Sequence, residues 1–214
     1  MICKKLLWLM AALSLCVTVL ADELKPMNPN ADHVERWNWF VEAVYTLHQK
    51  QIAGREIRTT EKTGGFYREP EFYKEVQYID VASNRRISTI RWERKNPKLI
   101  HWIETLIYDE QGRVIRDYGA AFLTHSRNAP QQTLINLHAY NGALHAYRQF
   151  DATDNRIYEF CEGTFNGQKI NLVYYDIDIL QNDGVVGGAF DKPEYKACFK
   201  GLPEKSAGKY LTPQ

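Results

Sequence analysis

Two histidines flank a strong turn signal. The segments on either side of Asn141-Gly142 alternate polar and apolar residues, as the two strands of a β-hairpin do. If Tyr140 pairs with Ala143 across a two-residue turn, His138 lies directly opposite His145 on the polar face. Opposed side chains in a hairpin have Cβ atoms about 5 Å apart, and two imidazoles at that distance can share one metal ion. The spacing therefore predicts a candidate metal site at His138 and His145.

A third ligand for this site is not identified by spacing. No His-x-x-x-His motif or carboxylate triad accompanies the pair. Donors of suitable type elsewhere in the chain are His101, Glu104, His125, Glu159 and Glu162. Without a metal, two histidines on a polar face are solvated or stacked on each other, and opposed imidazoles resist double protonation. The pair is therefore either a metal site or a structural contact that responds to pH.

The usual catalytic signatures are missing from the sequence. There is no Gly-x-Ser-x-Gly motif for a nucleophilic serine. Neither Gly64-Gly65 nor Gly187-Gly188 lies in the strand–loop–helix context of a phosphate-binding loop with its lysine. The sequence favours a protein without catalytic activity and indicates no cofactor.

The first 21 residues have the layout of a cleavable export signal. Lys4 and Lys5 precede an uncharged run over residues 6–20, and Ala21 completes a cleavage site before Asp22. The alternative is a signal anchor, but a membrane span needs about 20 apolar residues and this run is shorter. We expect a mature chain from residue 22, periplasmic or secreted, without a transmembrane segment.

Only two cysteines remain once the signal is removed. Cys161 and Cys198 form an even pair in an oxidising compartment, which predicts a disulfide bond. The chain-entropy model assigns such a bond about 3–4 kcal/mol of stability. Neither cysteine belongs to a Cys-x-x-Cys motif, so a redox role is not indicated.

The net charge limits the classes of partner. Loss of Lys4 and Lys5 changes the formal charge from +1 to −1. A chain so close to neutrality lacks the basic surface of a nucleic-acid-binding protein and the lysine cluster that binds anionic membranes. We therefore expect neither nucleic acid nor an anionic bilayer surface as the partner.

The hydrophobic pattern predicts one helix followed by a long antiparallel sheet. A period of three to four residues over 32–53 predicts an amphipathic helix. After Gly54 the period changes to two, and about nine strands are separated by short turns. The predicted fold is α+β and mainly antiparallel β, a curved meander or unclosed barrel with the helix covering one face. Residues 22–180 form this domain, and 181–214 are an irregular segment tied to it by the disulfide.

Aromatic residues provide candidates for an apolar ligand site. A curved sheet with aromatic side chains suits a binding cavity, and Trp37, Phe40, Trp92 and Trp102 are placed to line one beneath the helix. Arg148 interrupts the apolar positions of its hairpin and either extends to the rim or makes a polar contact inside the pocket. The same aromatic residues also serve as ordinary core and strand residues.

The stretch from Lys95 to Trp102 resembles a string found in periplasmic carriers of outer-membrane lipoproteins. Lys95, Pro97, Ile100 and Trp102 match that string in spacing, and the order of export signal, helix, strands and Asp-x-x-Gly hairpin is also similar over residues 33–125. Asn96 stands where that family has arginine. The resemblance implies an unclosed barrel with a helix over an apolar concavity that accepts acyl chains.

Three hypotheses for function follow. The first is an exported, non-enzymatic carrier that holds a lipid or acylated protein between helix and sheet. The second is a metal-binding protein or metalloenzyme that uses His138 and His145. The third is an interaction subunit of an envelope complex that offers an exposed sheet edge.

Overall fold

Nine strands form one antiparallel sheet in the order of the chain. The structure, a computed structural model, describes residues 32–123, 129–205, 210 and 212–214; the expected export signal and His125 lie outside them. Each strand pairs with the strands before and after it, and the first and last strands do not pair with each other, so the sheet is not closed. The predicted fold class is confirmed. The strands are β1 (Ile57–Phe66), β2 (Glu69–Asp80), β3 (Arg85–Glu93), β4 (Ile100–Tyr108), β5 (Val114–Ala121), β6 (Gln132–Asn141), β7 (Leu144–Phe150), β8 (Arg156–Phe165) and β9 (Gln168–Tyr175).

One long helix, α1 (Asp32–Ile52), covers one face of the sheet. Its apolar residues recur every three or four positions, so they form one stripe that is removed from water against the strands. Gly54, with a φ of 73°, allows the chain to leave the helix in the left-handed conformation. The core between helix and sheet consists of Phe40, Val41, Val44, Leu47, Ile90, Ile100, Ile103, Tyr118, Ala120, Phe122, Ile135, Leu137, Phe150 and Ala152.

The Gly64-Gly65 pair lies inside β1 instead of ending the strand. A Cβ atom on Gly64 would be 2.6–2.7 Å from atoms of the Tyr73 ring, and one on Gly65 would be 2.0 Å from the carbonyl oxygen of Glu69. The pair therefore permits close approach of β2, and the ladder shifts register between Gly64 and Phe66. The sequence pattern predicts a break at these glycines, and the structure has a bulge within the strand instead.

The C-terminal segment is more regular than predicted. Helix α2 (Asp176–Asn182) begins directly after β9, a 3₁₀ turn spans Ala189–Asp191, and α3 (Pro193–Cys198) follows. The expectation of an irregular segment over 181–214 is wrong for these parts. The side chain of Asp178 accepts a hydrogen bond from the backbone N–H of Tyr175 at 3.0 Å, which caps α2, and Pro193 at the start of α3 suits a helix N-terminus.

The predicted disulfide joins α3 to the sheet. Cys161 on β8 and Cys198 at the end of α3 are bonded, with Cα atoms 5.9 Å apart, and both are fully buried. A second apolar cluster surrounds the bond and consists of Leu144, Ala146, Tyr195 and Phe199. A disulfide of this kind is typical of an oxidising compartment. Within the described residues, every helix is too short or too polar to span a bilayer.

Candidate functional site

The histidine pair lies on one face of the β6–β7 hairpin but not directly opposed. The turn residues are Gly142 and Ala143, so Asn141 pairs with Leu144 and Tyr140 pairs with His145. Gly142 has a φ of 64°, the positive value that a tight hairpin turn needs at its first central residue. The predicted pairing of His138 with His145 is therefore wrong, because His138 pairs with Tyr147, two residues further along β7. The two residues are diagonal neighbours, and the prediction that they share a face is correct.

A hydrogen-bonded chain connects the two imidazoles to a buried carboxylate. His138 Nδ1 lies 3.0 Å from His145 Nε2, and His138 Nε2 lies 2.8 Å from Oδ2 of Asp117 on β5. The other oxygen of Asp117 accepts a hydrogen bond from Asn136 Nδ2 at 2.6 Å. An ionised Asp117 takes the N–H of His138 Nε2, which leaves His138 Nδ1 to accept the N–H of His145 Nε2. The chain thus orients both rings and fixes their tautomers.

The two histidine rings lie edge to edge. Their planes differ by 3° and their centroids are 5.3 Å apart, so the nitrogens that bond each other face one another in nearly one plane. Tyr140 stacks on His145 with centroids 4.8 Å apart, and its hydroxyl donates to the carbonyl of Val114 at 2.9 Å. Tyr147 contacts both histidine rings at a tilt. These contacts hold the imidazole planes in place.

The environment of His145 favours its neutral form. Burial lowers the pKa of His145 below its usual value, the neighbouring His138 lowers it further, and the carboxylate of Glu162 acts in the opposite direction. A neutral imidazole retains a lone pair for a metal or a hydrogen-bond donor.

An open cleft lies beside His145 at the β6–β7 turn. It has a volume of about 630 Å³. Its lining mixes apolar, charged and amide groups, so it is less apolar than a typical site for a lipid. The lining residues are Tyr140, Gly142, Ala143, Leu144, His145, Glu162, Gly163, Thr164, Lys169, Ile170 and Asn171.

The face of β5–β9 that carries the histidines is rich in aromatic residues. We call it the histidine face; it comprises Asp117, Asn136, His138, Tyr140, His145, Tyr147, Gln149, Tyr158, Phe160, Glu162, Val173 and Tyr175. Helices α1 and α3 pack against the alternate residues of these strands, on the other face. A solvated face of an antiparallel sheet normally carries polar side chains. The aromatic content of the histidine face is therefore unusual for a surface that contacts only water.

Three of the residues predicted to bind an apolar ligand belong to the core beneath α1, and Trp102 and Arg148 lie elsewhere. Phe40 is fully buried in the core, and Trp37 and Trp92 pack against the same core from its margin. Trp102 lies on the opposite face, where the guanidinium of Arg91 sits 4.9 Å from its ring. The core residues between α1 and the sheet are in direct contact with one another.

Arg148 is buried in an ion pair and not at a rim. Its Nε lies 2.5 Å from Oε1 of Glu159, its two terminal nitrogens donate to the carbonyl of Leu202 and to the hydroxyl of Tyr195, and that hydroxyl donates to Glu159. Burial and the carboxylate of Glu159 raise the pKa of Tyr195. All three nitrogens of the guanidinium are used within the protein. Arg148 therefore attaches the C-terminal segment to the sheet.

The candidate third ligands are dispersed. Glu162 is exposed on β8 directly across from His145, whereas Glu159 lies on the other face with Arg148. Glu104 pairs with Arg86 at 2.9 Å, and His101 packs among Phe66, Phe72 and Tyr73. Within the described part of the chain, no group of three or more His, Cys, Asp and Glu side chains forms a complete metal site.

Sequence reasoning missed Asp117, the carboxylate that orients His138. Asp117 pairs with Asn136 in the β5–β6 ladder, and the segment that joins these strands is too long to fix their register. The pattern of β5 gave no clear signal, because Asp117 lies between Arg116 and Tyr118 and shares its face with Ile115 and Gly119.

Comparison with protein-family models, curated proteins and solved structures gives no match to this chain. The resemblance to lipoprotein carriers therefore stays a prediction.

Proposed function

We propose that this chain is an exported, non-enzymatic interaction protein, and that it binds another protein of the cell envelope through the histidine face. The observation that carries the proposal is a sheet face with exposed and half-buried aromatic side chains opposite the helix-covered core. The disulfide supports export, since such bonds persist in oxidising compartments.

The composition of the face fits a protein partner. Tyrosine and other aromatic residues are enriched at protein interfaces, where they provide large contact areas at a low cost in side-chain entropy. Tyr147 on β7 contacts Tyr158 and Phe160 on β8, with ring centroids 5.8 and 5.4 Å from its own. At the β9 edge, Val173 is 39% exposed and Tyr175 is 58% exposed. A large apolar surface patch that is bordered by polar groups is typical of a binding site.

Exposed apolar residues continue along the chain beyond β9. Ile177 and Leu180 on α2 and Val186 in the following loop are 56%, 74% and 95% exposed. The described residues contain no strand that pairs with the free edge of β9. Unpaired backbone groups at such an edge can bond an extended segment of a partner. The edge and the exposed apolar residues thus offer two kinds of contact in one part of the molecule.

A small apolar ligand has less support from the geometry. Buried side chains of α1 pack against those of the sheet where the carrier hypothesis places an acyl chain. The cleft beside His145 is open and mixed in polarity. The carrier hypothesis stays a prediction, and mass spectrometry of lipids extracted from the purified protein tests it.

Site-specific crosslinking tests the proposed interaction. A photoreactive phenylalanine analogue replaces Tyr175 in cells that naturally make the protein, and we expect a discrete adduct on illumination. The same probe at Tyr67, which is fully exposed at the β1–β2 turn, should give none. The adduct identifies the partner by mass spectrometry, and the purified partner is then used in binding measurements.

A matched pair of variants makes the test specific. Val173→Lys places a charge within the histidine face, whereas Val81→Lys places the same charge at a similarly exposed valine between β2 and β3. We expect V173K to lose the adduct and to bind the purified partner at least about 10-fold more weakly, because an unpaired lysine charge is then desolvated in the contact. V81K should behave as the parent chain. Equal adducts at Tyr67 and Tyr175, or equal binding by the two lysine variants, would contradict the proposal.

A further inference from the structure

The histidine pair directs two ring nitrogens at each other, as two ligands of one metal ion do. His138 Nδ1 and His145 Nε2 face each other at 3.0 Å, the distance of a hydrogen bond. Two nitrogens bound to one tetrahedral zinc ion at about 2.0–2.1 Å are about 3.3–3.4 Å apart. Conversion of the hydrogen bond into a metal bridge therefore requires the two nitrogens to separate by a few tenths of an ångström and each ring to turn by about 35°, so that both lone pairs point at the ion.

The carboxylate of Asp117 is placed as metal sites require. A metal-binding histidine commonly donates its other ring N–H to a carboxylate, which fixes the tautomer and increases the basicity of the ligating nitrogen. His138 Nε2 makes this bond to Asp117 at 2.8 Å, and Asn136 in turn bonds the second carboxylate oxygen. The nitrogen left to bind a metal is Nδ1, the atom that faces His145.

We propose that His138 Nδ1 and His145 Nε2 bind one divalent transition-metal ion, Zn²⁺ or Cu²⁺, with Asp117 as the positioning residue for His138. Imidazole nitrogen suits both metals. When the ion binds, the proton on His145 Nε2 moves to Nδ1 of the same ring, so that the ring stays neutral. Exposed Glu162 on the adjacent strand faces this ring and can accept that N–H. Water or a donor from a partner fills the remaining coordination positions.

The surroundings are compatible with an ion at this position. Tyr147 contacts the ring of His138 and Tyr140 stacks on the ring of His145; these contacts limit the positions that the rings can take and so reduce the side-chain entropy lost on binding. The side chain of His138 is 11% exposed, and His145 borders the open cleft through which an ion can enter. This inference does not depend on the proposed protein partner, because the two nitrogens and Asp117 belong to one chain.

Metal titration of the purified chain tests the inference. The protein is prepared without a polyhistidine tag, freed of metal with a chelator, and titrated with ZnCl₂ or CuCl₂ while heat release and melting temperature are followed. We expect one ion per chain and a higher melting temperature. The copper-loaded protein should show splitting from two imidazole nitrogens in its electron paramagnetic resonance spectrum.

Variants separate this site from adventitious binding. We expect His138→Gln and His145→Gln each to lose the bound ion, and Asp117→Asn to weaken binding about 10- to 100-fold with the stoichiometry unchanged. His101→Gln changes a histidine that packs among aromatic rings near the β1–β2 turn, and it should bind as the parent chain does. If the parent chain binds no ion, or if H145Q and H138Q retain it, the pair is only a hydrogen-bonded contact and the proposal fails.

Discussion

At the scale of single residues, His48 is the clearest case of a titratable group forced into its neutral form. It lies near the end of α1, is 3% exposed, and shares a hydrogen bond of 2.7 Å between its Nδ1 and Oγ of Ser88. The Tyr78 ring contacts its edge with centroids 4.6 Å apart. Burial lowers the pKa of His48 to about 4, because a buried imidazolium without a carboxylate partner is poorly solvated.

His48 should therefore make the protein sensitive to acid. The unfolded chain binds a proton at an ordinary histidine pKa of about 6.5 and the folded chain does not, so stability is lost as the pH falls below about 6.5. For this group alone the free energy of unfolding should drop by about 2 kcal/mol between pH 7 and pH 5. His48→Gln keeps a donor for Ser88 and removes the titration. Urea unfolding at both pH values should show a loss about 2 kcal/mol smaller in H48Q; equal losses would contradict the assignment.

At the scale of elements, the helix and all nine strands were predictable, because the hydrophobic period changes from about 3.6 to 2 at Gly54 and turn residues recur at short intervals. Register was harder to predict. The Asn-Gly signal permits a turn at Asn141-Gly142 or at Gly142-Ala143, and the structure adopts the second. Moving the turn by one residue changes the partner of every residue by two positions. Because side chains alternate between faces with a period of two, His138 and His145 share a face in both alternatives. The shared face was therefore predictable and the direct opposition was not.

Gly163 within β8 and Gly167 in the turn after it differ in how strongly their positions exclude a larger residue. Gly163 on β8 has a φ of 137°, and a Cβ there would be 2.1 Å from the carbonyl oxygen of Ala143. Gly167, between β8 and β9, has a φ of 78° with no atom within 4 Å of that position. We expect Gly163→Ala to cost about 2–3 kcal/mol of unfolding free energy and Gly167→Ala about 1 kcal/mol. Chemical denaturation of both variants measures the difference, and equal costs would show that the contact with Ala143 is easily relieved.

At the scale of the whole molecule, the packing between distant segments was the least predictable feature. The number of cysteines and the expected oxidising compartment predict the disulfide. The alternation of residues in its hairpin identifies Arg148 as an interruption of an apolar face. It does not show that Arg148 and Glu159 form a buried pair that receives Tyr195 and the carbonyl of Leu202. Such contacts depend on how the C-terminal segment folds back onto the sheet, and the periodicity of the sequence does not indicate that arrangement. For the same reason, the strand pairing that brings Asp117 to His138 could not be read from the sequence.

The C-terminal segment should depend on its disulfide. Replacing both cysteines by alanine removes a cross-link that closes a loop of 37 residues, and the expected cost is about 3–4 kcal/mol. Lys196 and Lys200 lie in the segment that the bond secures. Trypsin should therefore cut the native variant there while the parent chain resists. Unchanged unfolding free energy and unchanged resistance would show that the Arg148 contacts suffice.

The neighbour-to-neighbour order of the sheet has a consequence for how the chain acquires its structure. Every strand pairs only with the strand before and after it, so each new hairpin can add to the growing ladder as soon as its residues become available. Contacts of short sequence separation are made at a small cost in loop entropy. Because Cys198 follows the last strand, its bond to Cys161 can form only once the segment after β9 has reached β8.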